Sequence, residues 1–106
     1  MANIEICVYG ADVVCASCVN LPSAKDTFEW LQSALTRRFP NESINIRYID
    51  INVPQSEEQK QIMCEKILND EHFYPLVTVE DEVVDEGNPS LKKIITSLES
   101  YGYQQG

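Results

Sequence analysis

The feature that most constrains the fold is an alternation of β-rich runs with runs of helical periodicity. Runs rich in β-branched and aromatic residues predict strands at 4–9, 44–51, 75–79 and 83–85. Helical patterns separate the first three strands and follow the fourth, giving the order β-α-β-α-β-β-α. Strands joined through a helix pair in parallel, whereas a hairpin adds antiparallel strands. The chain therefore predicts an α/β fold with three layers, α/β/α, around a four-stranded mixed sheet.

The ends of the first two helices are predicted by capping and stop signals. The first helix ends just before Pro40, and its start is open: it begins either near Cys18, with a kink at Pro22, or afresh at Pro22. The second helix begins with a capping box at 56–59 and runs to about Asn69. Its predicted core face consists of Ile62, Met63 and Ile67.

The third helix is predicted to begin at Asn88, as the N-cap, with Pro89 in the first helical position. Its core side is formed by Leu91, Ile94, Ile95 and Leu98. The 106 residues are enough for one domain, which we expect to span 1–106. The polar and glycine-containing segment 101–106 is expected to be frayed.

The chemical feature that stands out is a pair of cysteines separated by two residues. Cys15-Ala16-Ser17-Cys18 follows the first strand and precedes the first helical run. Such a pair can close a small reversible disulfide ring, or it can supply two thiolates to a metal ion. A CxxC near a βαβ pattern favours the redox interpretation.

The other possible metal ligands do not form a second pair. Cys7 lies within a predicted strand, Cys64 lies in the apolar part of the second helix, and His72 lies in a loop. We interpret Cys7 and Cys64 as core residues. Because zinc needs about four ligands, we predict no metal site. The acidic group at 80–86 lacks the spacing of a calcium loop and predicts a solvated hairpin edge.

The composition narrows the classes of partner. The net charge is −9, from 17 acidic and 8 basic residues, which argues against nucleic acid and anionic membranes as binding partners. No apolar run reaches the roughly 20 residues that a membrane helix needs, and the first residues lack a secretory pattern. We therefore expect a cytoplasmic protein, whose thiols are mostly reduced.

Three features together resemble the thioredoxin-like fold in its compact glutaredoxin form. They are the pair Cys15 and Cys18, the dipeptide Tyr74-Pro75 at the start of the third strand, and Gly87 in the turn before the last helix. The resemblance covers nearly the whole chain. More narrowly, the chain is similar to the small YuzD-like bacterial family, whose members are described as candidate disulfide oxidoreductases.

The resemblance implies a role for each matching residue. Cys15 would be the attacking thiolate and Cys18 the resolving thiol in exchange with a disulfide or thiol of a protein partner. Pro75 would be a cis-proline facing the pair, and Tyr74 would offer its backbone to the substrate. The family pattern implies no cofactor.

Departures from the family pattern leave alternatives open. Val14 stands where thioredoxins carry tryptophan, and Asp12 lies where glutaredoxins usually have a basic residue, so glutathione is not the expected partner. The neutral to acidic surroundings of Cys15 predict a weakly activated thiolate. The alternative function is a non-catalytic, thioredoxin-like protein-interaction module, and a weaker third one is a carrier of a metal or iron–sulfur cluster.

Overall fold

The computed structural model describes residues 4–11, 24–87 and 89–105. The pair Cys15 and Cys18 lies outside the described residues, as does the junction at which the first helix starts relative to Cys18 and Pro22. The elements are β1 (Ile4–Gly10), α1 (Ala24–Arg38), β2 (Ile44–Asp50), α2 (Glu58–Leu68), β3 (Leu76–Val79), β4 (Glu82–Glu86) and α3 (Leu91–Ser100). The predicted order of elements is confirmed.

The four strands form one mixed sheet in the order β2-β1-β3-β4. β1 and β2 are parallel, with Ile4 opposite Ile44, because α1 carries the chain back to the same end of the sheet. β3 is antiparallel to both β1 and β4. The predicted α/β architecture with its mixed sheet is therefore confirmed.

Two apolar cores cover the two faces of the sheet. Ile6 and Val8 of β1 face α1 and α3, where they pack with Leu31 and Leu98. The alternate residues of β1 face α2, and Cys7 packs there in a second core with Cys64 and Ile67. The alternating residues of β1 thus face the two cores in turn, and the interpretation of Cys7 and Cys64 as core residues is confirmed.

The start and the core face of α2 differ from the sequence prediction. The N-cap is Glu57 rather than Ser56, and it makes no side-chain capping bond. Its carboxylate instead accepts a hydrogen bond from Arg47 at 2.8 Å, so the predicted capping box is wrong. Ile62 is 38% exposed, and a lysine, Lys60, takes a buried place on this helix.

The start of α3 is also different. The helix begins at Leu91, and its N-cap is Ser90 rather than the predicted Asn88, which is not among the described residues. Asp85, near the end of β4, accepts a hydrogen bond from the Ser90 amide at 2.8 Å. The carboxylate at this helix start therefore comes from a neighbouring strand rather than from the helix's own sequence.

Within the segment after α3, which the sequence predicts to be frayed, Tyr103 is docked against the fold. Tyr103 is 9% exposed and packs beside Phe39. Its hydroxyl accepts a hydrogen bond from the Ile4 amide at 3.2 Å and donates one to the Ser43 carbonyl. The tail thus fastens the first residues of β1 and β2, where both strands enter the sheet.

Candidate functional site

One end of the sheet, here called the Pro75 end, gathers the features that the sequence singled out. β1 ends there at Gly10, and β3 begins there with Leu76 opposite Tyr9. The peptide bond between Tyr74 and Pro75 is cis. The Gly10 carbonyl accepts a hydrogen bond from the Ile51 amide at 2.9 Å, which secures the end of β1.

Gly87 supports Pro75 from the neighbouring strand. Its amide donates a hydrogen bond to the Pro75 carbonyl at 3.0 Å. Gly87 has φ +78°, a conformation that favours glycine because a β-carbon is strained there. The glycine-containing turn that the sequence pointed to therefore contacts the candidate site directly.

The predicted site residues divide into two groups. Tyr74 and Pro75 lie at the Pro75 end, with Tyr74 48% exposed and Pro75 half-buried. Cys15 and Cys18 lie outside the described residues, so their roles remain predictions. Ala11, four positions before Cys15 in the sequence, is 8% exposed and packs in the core that faces α2.

The loop from α2 to β3 holds further residues of this site, to which the sequence pattern gives no role. His72 Nδ1 lies 2.5 Å from Glu86 Oε2 on β4, which ties the loop to the sheet. Phe73 is 70% exposed, and its β-carbon lies over Gly87. The sequence offered one signal, the cluster His72-Phe73-Tyr74 before the proline, but nothing in it named Glu86 as the partner.

At the α2 end, this loop begins with a tight helix termination. The Asp70 amide donates to the Ile67 carbonyl at 3.1 Å, and the Glu71 amide donates to the Lys66 carbonyl at 2.9 Å. Asp70 has φ 63°. This pair of bonds and the left-handed residue form a Schellman motif, in which glycine is the usual residue at the position of Asp70.

The two cysteines within the described residues are not suited to redox chemistry. Cys7 and Cys64 are each 1% exposed. Burial raises the pKa of the Cys7 thiol to about 12, with smaller effects from Lys60 and Glu5. Burial also raises the pKa of Cys64. Because the thiolate is the reactive form, both thiols are inert at neutral pH.

The opposite end of the sheet, here called the Lys60 end, carries a cluster of charged side chains. The Lys60 side chain is only 3% exposed, and Nζ lies 2.6 Å from Glu5 Oε1 and 2.5 Å from Asp81 Oδ1. Arg47 extends the cluster by bridging Glu5 at 3.1 Å and Glu57 at 2.8 Å. Two positive and three negative groups from distant parts of the chain thus pair with one another.

The cluster shifts the pKa values of its members. Burial alone would lower the pKa of the Lys60 ammonium, but hydrogen bonds to Asp81 and Glu5 outweigh it and raise the pKa. The hydrogen bond from Lys60 is the main reason that the pKa of Glu5 is lowered, with Arg47 adding to it against the effect of burial. Both groups are therefore held in their charged forms.

Neither a metal centre nor a membrane helix is found in the part of the chain that the structure describes. Within residues 4–11, 24–87 and 89–105, no three or more His, Cys, Asp or Glu side chains are grouped so that they could hold a metal ion. Over the same ranges, no helix combines the length and the apolar character that crossing a membrane requires.

The sheet order β2-β1-β3-β4, with one parallel and two antiparallel pairs and a proline at the entrance to β3, defines a thioredoxin-like protein of the compact glutaredoxin form. The particular family follows from comparison with known proteins. The chain belongs to the family DUF1462, described as "Protein of unknown function", whose model matches residues 7–99.

Two relatives of known sequence or structure cover nearly the full chain. A Bacillus subtilis (strain 168) protein named "Putative disulfide oxidoreductase YuzD" is 52% identical over 105 residues, which are 99% of this chain and 97% of that protein. The resemblance to the YuzD-like family is thereby confirmed. A solved structure of a protein of unknown function from Staphylococcus aureus is 42% identical, with a TM-score of 0.80, and covers 93% of this chain and 91% of that one.

Proposed function

We propose that this protein exchanges thiols and disulfides with a protein partner through Cys15 and Cys18. The observation that carries the proposal is the arrangement of the Pro75 end, where Tyr74-Pro75 lies beside the end of β1. Because Cys15 follows Ala11 by four residues, its α-carbon can lie no more than about 14 Å from the α-carbon of Ala11, next to the end of β1. The Bacillus relative named as a disulfide oxidoreductase supports the same chemistry.

The proposed exchange moves two electrons and two protons. The Cys15 thiol loses its proton, and the thiolate attacks one sulfur of the partner's disulfide; the other sulfur leaves as a thiolate and takes up a proton. The Cys18 thiol then loses its proton and attacks the Cys15 sulfur, which breaks the mixed disulfide and releases the second partner thiol. The Cys15–Cys18 pair is oxidised and the partner is reduced, and the opposite direction reverses each step.

Because Cys7 and Cys64 are buried, labelling of the folded protein reports on the redox state of Cys15 and Cys18. Reduced protein is titrated in glutathione or dithiothreitol redox buffers, quenched with a maleimide and mapped by mass spectrometry. We expect Cys15 and Cys18 to interconvert between dithiol and disulfide, while Cys7 and Cys64 react with the maleimide only after unfolding, because both are 1% exposed.

Variants assign the two roles. Cys15→Ser is expected to abolish exchange, whereas Cys18→Ser is expected to trap partners as mixed disulfides, because no second thiol remains to release them. A Cys64→Ala variant serves as the control that keeps the CxxC pair. If no Cys15–Cys18 disulfide forms at any potential, the exchange function is excluded.

A second candidate function is a non-catalytic interaction module. The observation in its favour is the exposure of Phe73 and Tyr74, at 70% and 48%, which is typical of residues that meet another protein. In that case Cys15→Ser would leave partner binding intact. Both candidates suit the cytoplasmic location expected from the sequence, and the net charge of −9 disfavours nucleic acid as the partner of either one.

A further inference from the structure

Three large apolar side chains are exposed within one short stretch at the Pro75 end. Leu68, Phe73 and Tyr74 are 53%, 70% and 48% exposed, and we call them the 68–74 surface. Exposed apolar residues scattered singly are ordinary, whereas several close together in the chain beside a candidate site are typical of an interaction surface.

The loop that carries this surface is fixed at both ends. On one side, the Schellman motif at Asp70 anchors it to α2. On the other, His72 contacts Glu86 at 2.5 Å, and the Gly87 amide binds the Pro75 carbonyl at 3.0 Å. A partner that binds here therefore meets aromatic side chains whose backbone is already ordered, which lowers the entropy that binding costs.

Carboxylates dominate the surroundings of the 68–74 surface. Asp70 and Glu71 lie exposed on the loop itself, and Glu86 lies beneath it on β4. The elements that end nearby add three more carboxylates, Asp50, Glu65 and Asp85. The cations near this end are four lysines: Lys25 on α1, Lys66 on α2, and Lys92 and Lys93 on α3. Lys93 lies 3.7 Å from Asp85.

The basic residues of the Lys60 end are not available to this surface. Lys60 and Arg47 are both bound to carboxylates at the other end of the sheet, at 3.1 Å or less. The six carboxylates named around the 68–74 surface outnumber the four lysines, so the local charge is negative, in keeping with the net charge of −9.

We infer that the 68–74 surface docks a cationic segment of the partner protein, one that carries Lys or Arg residues together with an apolar side chain beside its reacting cysteine. The inference rests on the proposed exchange function and adds the class of substrate. The acidic groups would attract the segment, and Phe73 and Tyr74 would cover its apolar side chain. Charge would then set the rate of association, and the apolar contact would set the lifetime of the complex.

The test uses two synthetic disulfide peptides of identical length, each with one Leu beside the disulfide. In the Lys peptide the disulfide is flanked by Lys residues, and in the Glu peptide it is flanked by Glu residues. Prereduced full-length protein reacts with each peptide in a single turnover at low ionic strength, with hydroxyethyl disulfide as an uncharged reference. We expect the Lys peptide to react about tenfold faster than the Glu peptide, and 0.5 M NaCl to reduce that ratio.

Variants separate the charge from the apolar contact. Glu71→Lys should shrink the ratio between the two peptides, and Phe73→Ala should slow the Lys peptide by about fivefold. Tyr101→Ala is the matched control, because Tyr101 is 43% exposed and lies near Glu80 and Glu82 at the opposite end of the sheet. It should leave both peptide rates unchanged.

Binding is measured separately from exchange, with Cys-to-Ser versions of both peptides and backbone amide NMR shifts as the readout. The Lys version should shift the amides around Phe73, and the Glu version should not. Equal rates and equal shifts for the two peptides, or no effect of Phe73→Ala, would overturn this inference. If hydroxyethyl disulfide and both peptides stay oxidised while the Lys version still shifts those amides, the exchange function fails and the docking surface stands.

Discussion

The two ends of the sheet differ in how their charged and aromatic groups are used. At the Lys60 end, a lysine side chain with 3% exposure is enclosed by carboxylates, and the Tyr103 hydroxyl binds the starts of two strands. At the Pro75 end, Phe73 is 70% exposed, and the neighbouring carboxylates Asp70 and Glu71 are exposed as well. The Lys60 end pairs a buried charge within the fold, whereas the Pro75 end leaves two aromatic rings and two carboxylates open to solvent.

Substitutions at the two ends are expected to change different properties of the protein. A buried charge with complete partners costs a great deal to disturb, because removing one partner leaves another charge without compensation. An exposed aromatic ring contributes little to the folded state, because it stays in water. We therefore expect substitutions at the Lys60 end to lower stability and substitutions at the 68–74 surface to change binding.

The largest expected effect is at Lys60. Lys60→Met keeps much of the side-chain volume but leaves Glu5 and Asp81 without their cation. We expect the free energy of unfolding, measured by urea denaturation at pH 7, to fall by about 2–4 kcal/mol, less than for a fully buried pair because both carboxylates are partly exposed. Lys66→Met on the exposed side of the same helix should change it by less than about 0.5 kcal/mol.

The next effect concerns the docked tail. Tyr103→Phe removes the hydroxyl that joins the Ile4 amide to the Ser43 carbonyl, and should lower the free energy of unfolding by about 1–2 kcal/mol. Tyr101→Phe is the control, since Tyr101 is 43% exposed. Equal stabilities for the two variants would show that the tail does not secure the Lys60 end.

A smaller effect, with a defined pH dependence, is expected at Asp85. Burial would raise the pKa of this carboxyl, but bonds from the Ser90 and Glu86 amides, with Lys93 nearby, lower it on balance. A lowered folded-state pKa contributes stability that is present above the unfolded pKa of about 4 and is lost as the pH falls through the folded value.

The Asp85→Asn variant tests that linkage. It should cost about 1 kcal/mol at pH 7, because the neutral amide interacts more weakly with the two backbone amides and with the helix start. Urea denaturation of both proteins between pH 7 and pH 2.5 should show the gap closing as the wild-type carboxyl becomes protonated. A gap that widens on acidification would contradict the assignment.

A stabilising change is expected at Asp70. Its φ of 63° costs energy for a residue with a β-carbon, so Asp70→Gly should raise the free energy of unfolding by about 0.5–1 kcal/mol. Asn69→Gly is the matched control, because Asn69 has φ −91° and gains nothing from glycine. A loss of stability in Asp70→Gly would mean that the aspartate side chain supports the loop.

The smallest expected change in stability is at Phe73. Phe73→Ala should shift the free energy of unfolding by less than about 0.5 kcal/mol, because the ring is 70% exposed. Thermal unfolding by circular dichroism is sufficient to check this. A large loss would show that the Phe73 ring stabilises the folded protein.

Local patterns in the sequence were enough to predict much of this fold. The order of elements and the buried face of α3 depend on the periodicity of neighbouring residues, which the chain itself displays. The burial of Cys7 and Cys64 follows from the same patterns. The candidate site was also visible in part, through Cys15, Cys18, Tyr74, Pro75 and Gly87 in the sequence.

Which polar groups meet depends on contacts between segments that are distant in the sequence. A lysine on a helix is ordinarily exposed, and Lys60 is buried because Asp81, 21 residues away, and Glu5 on β1 are brought to it by the sheet. The Tyr103 hydroxyl and the Ile4 amide are 99 residues apart in the chain. Periodicity reports which side of an element is apolar, but a buried charge or hydroxyl is stable only with partners that folding brings from distant segments.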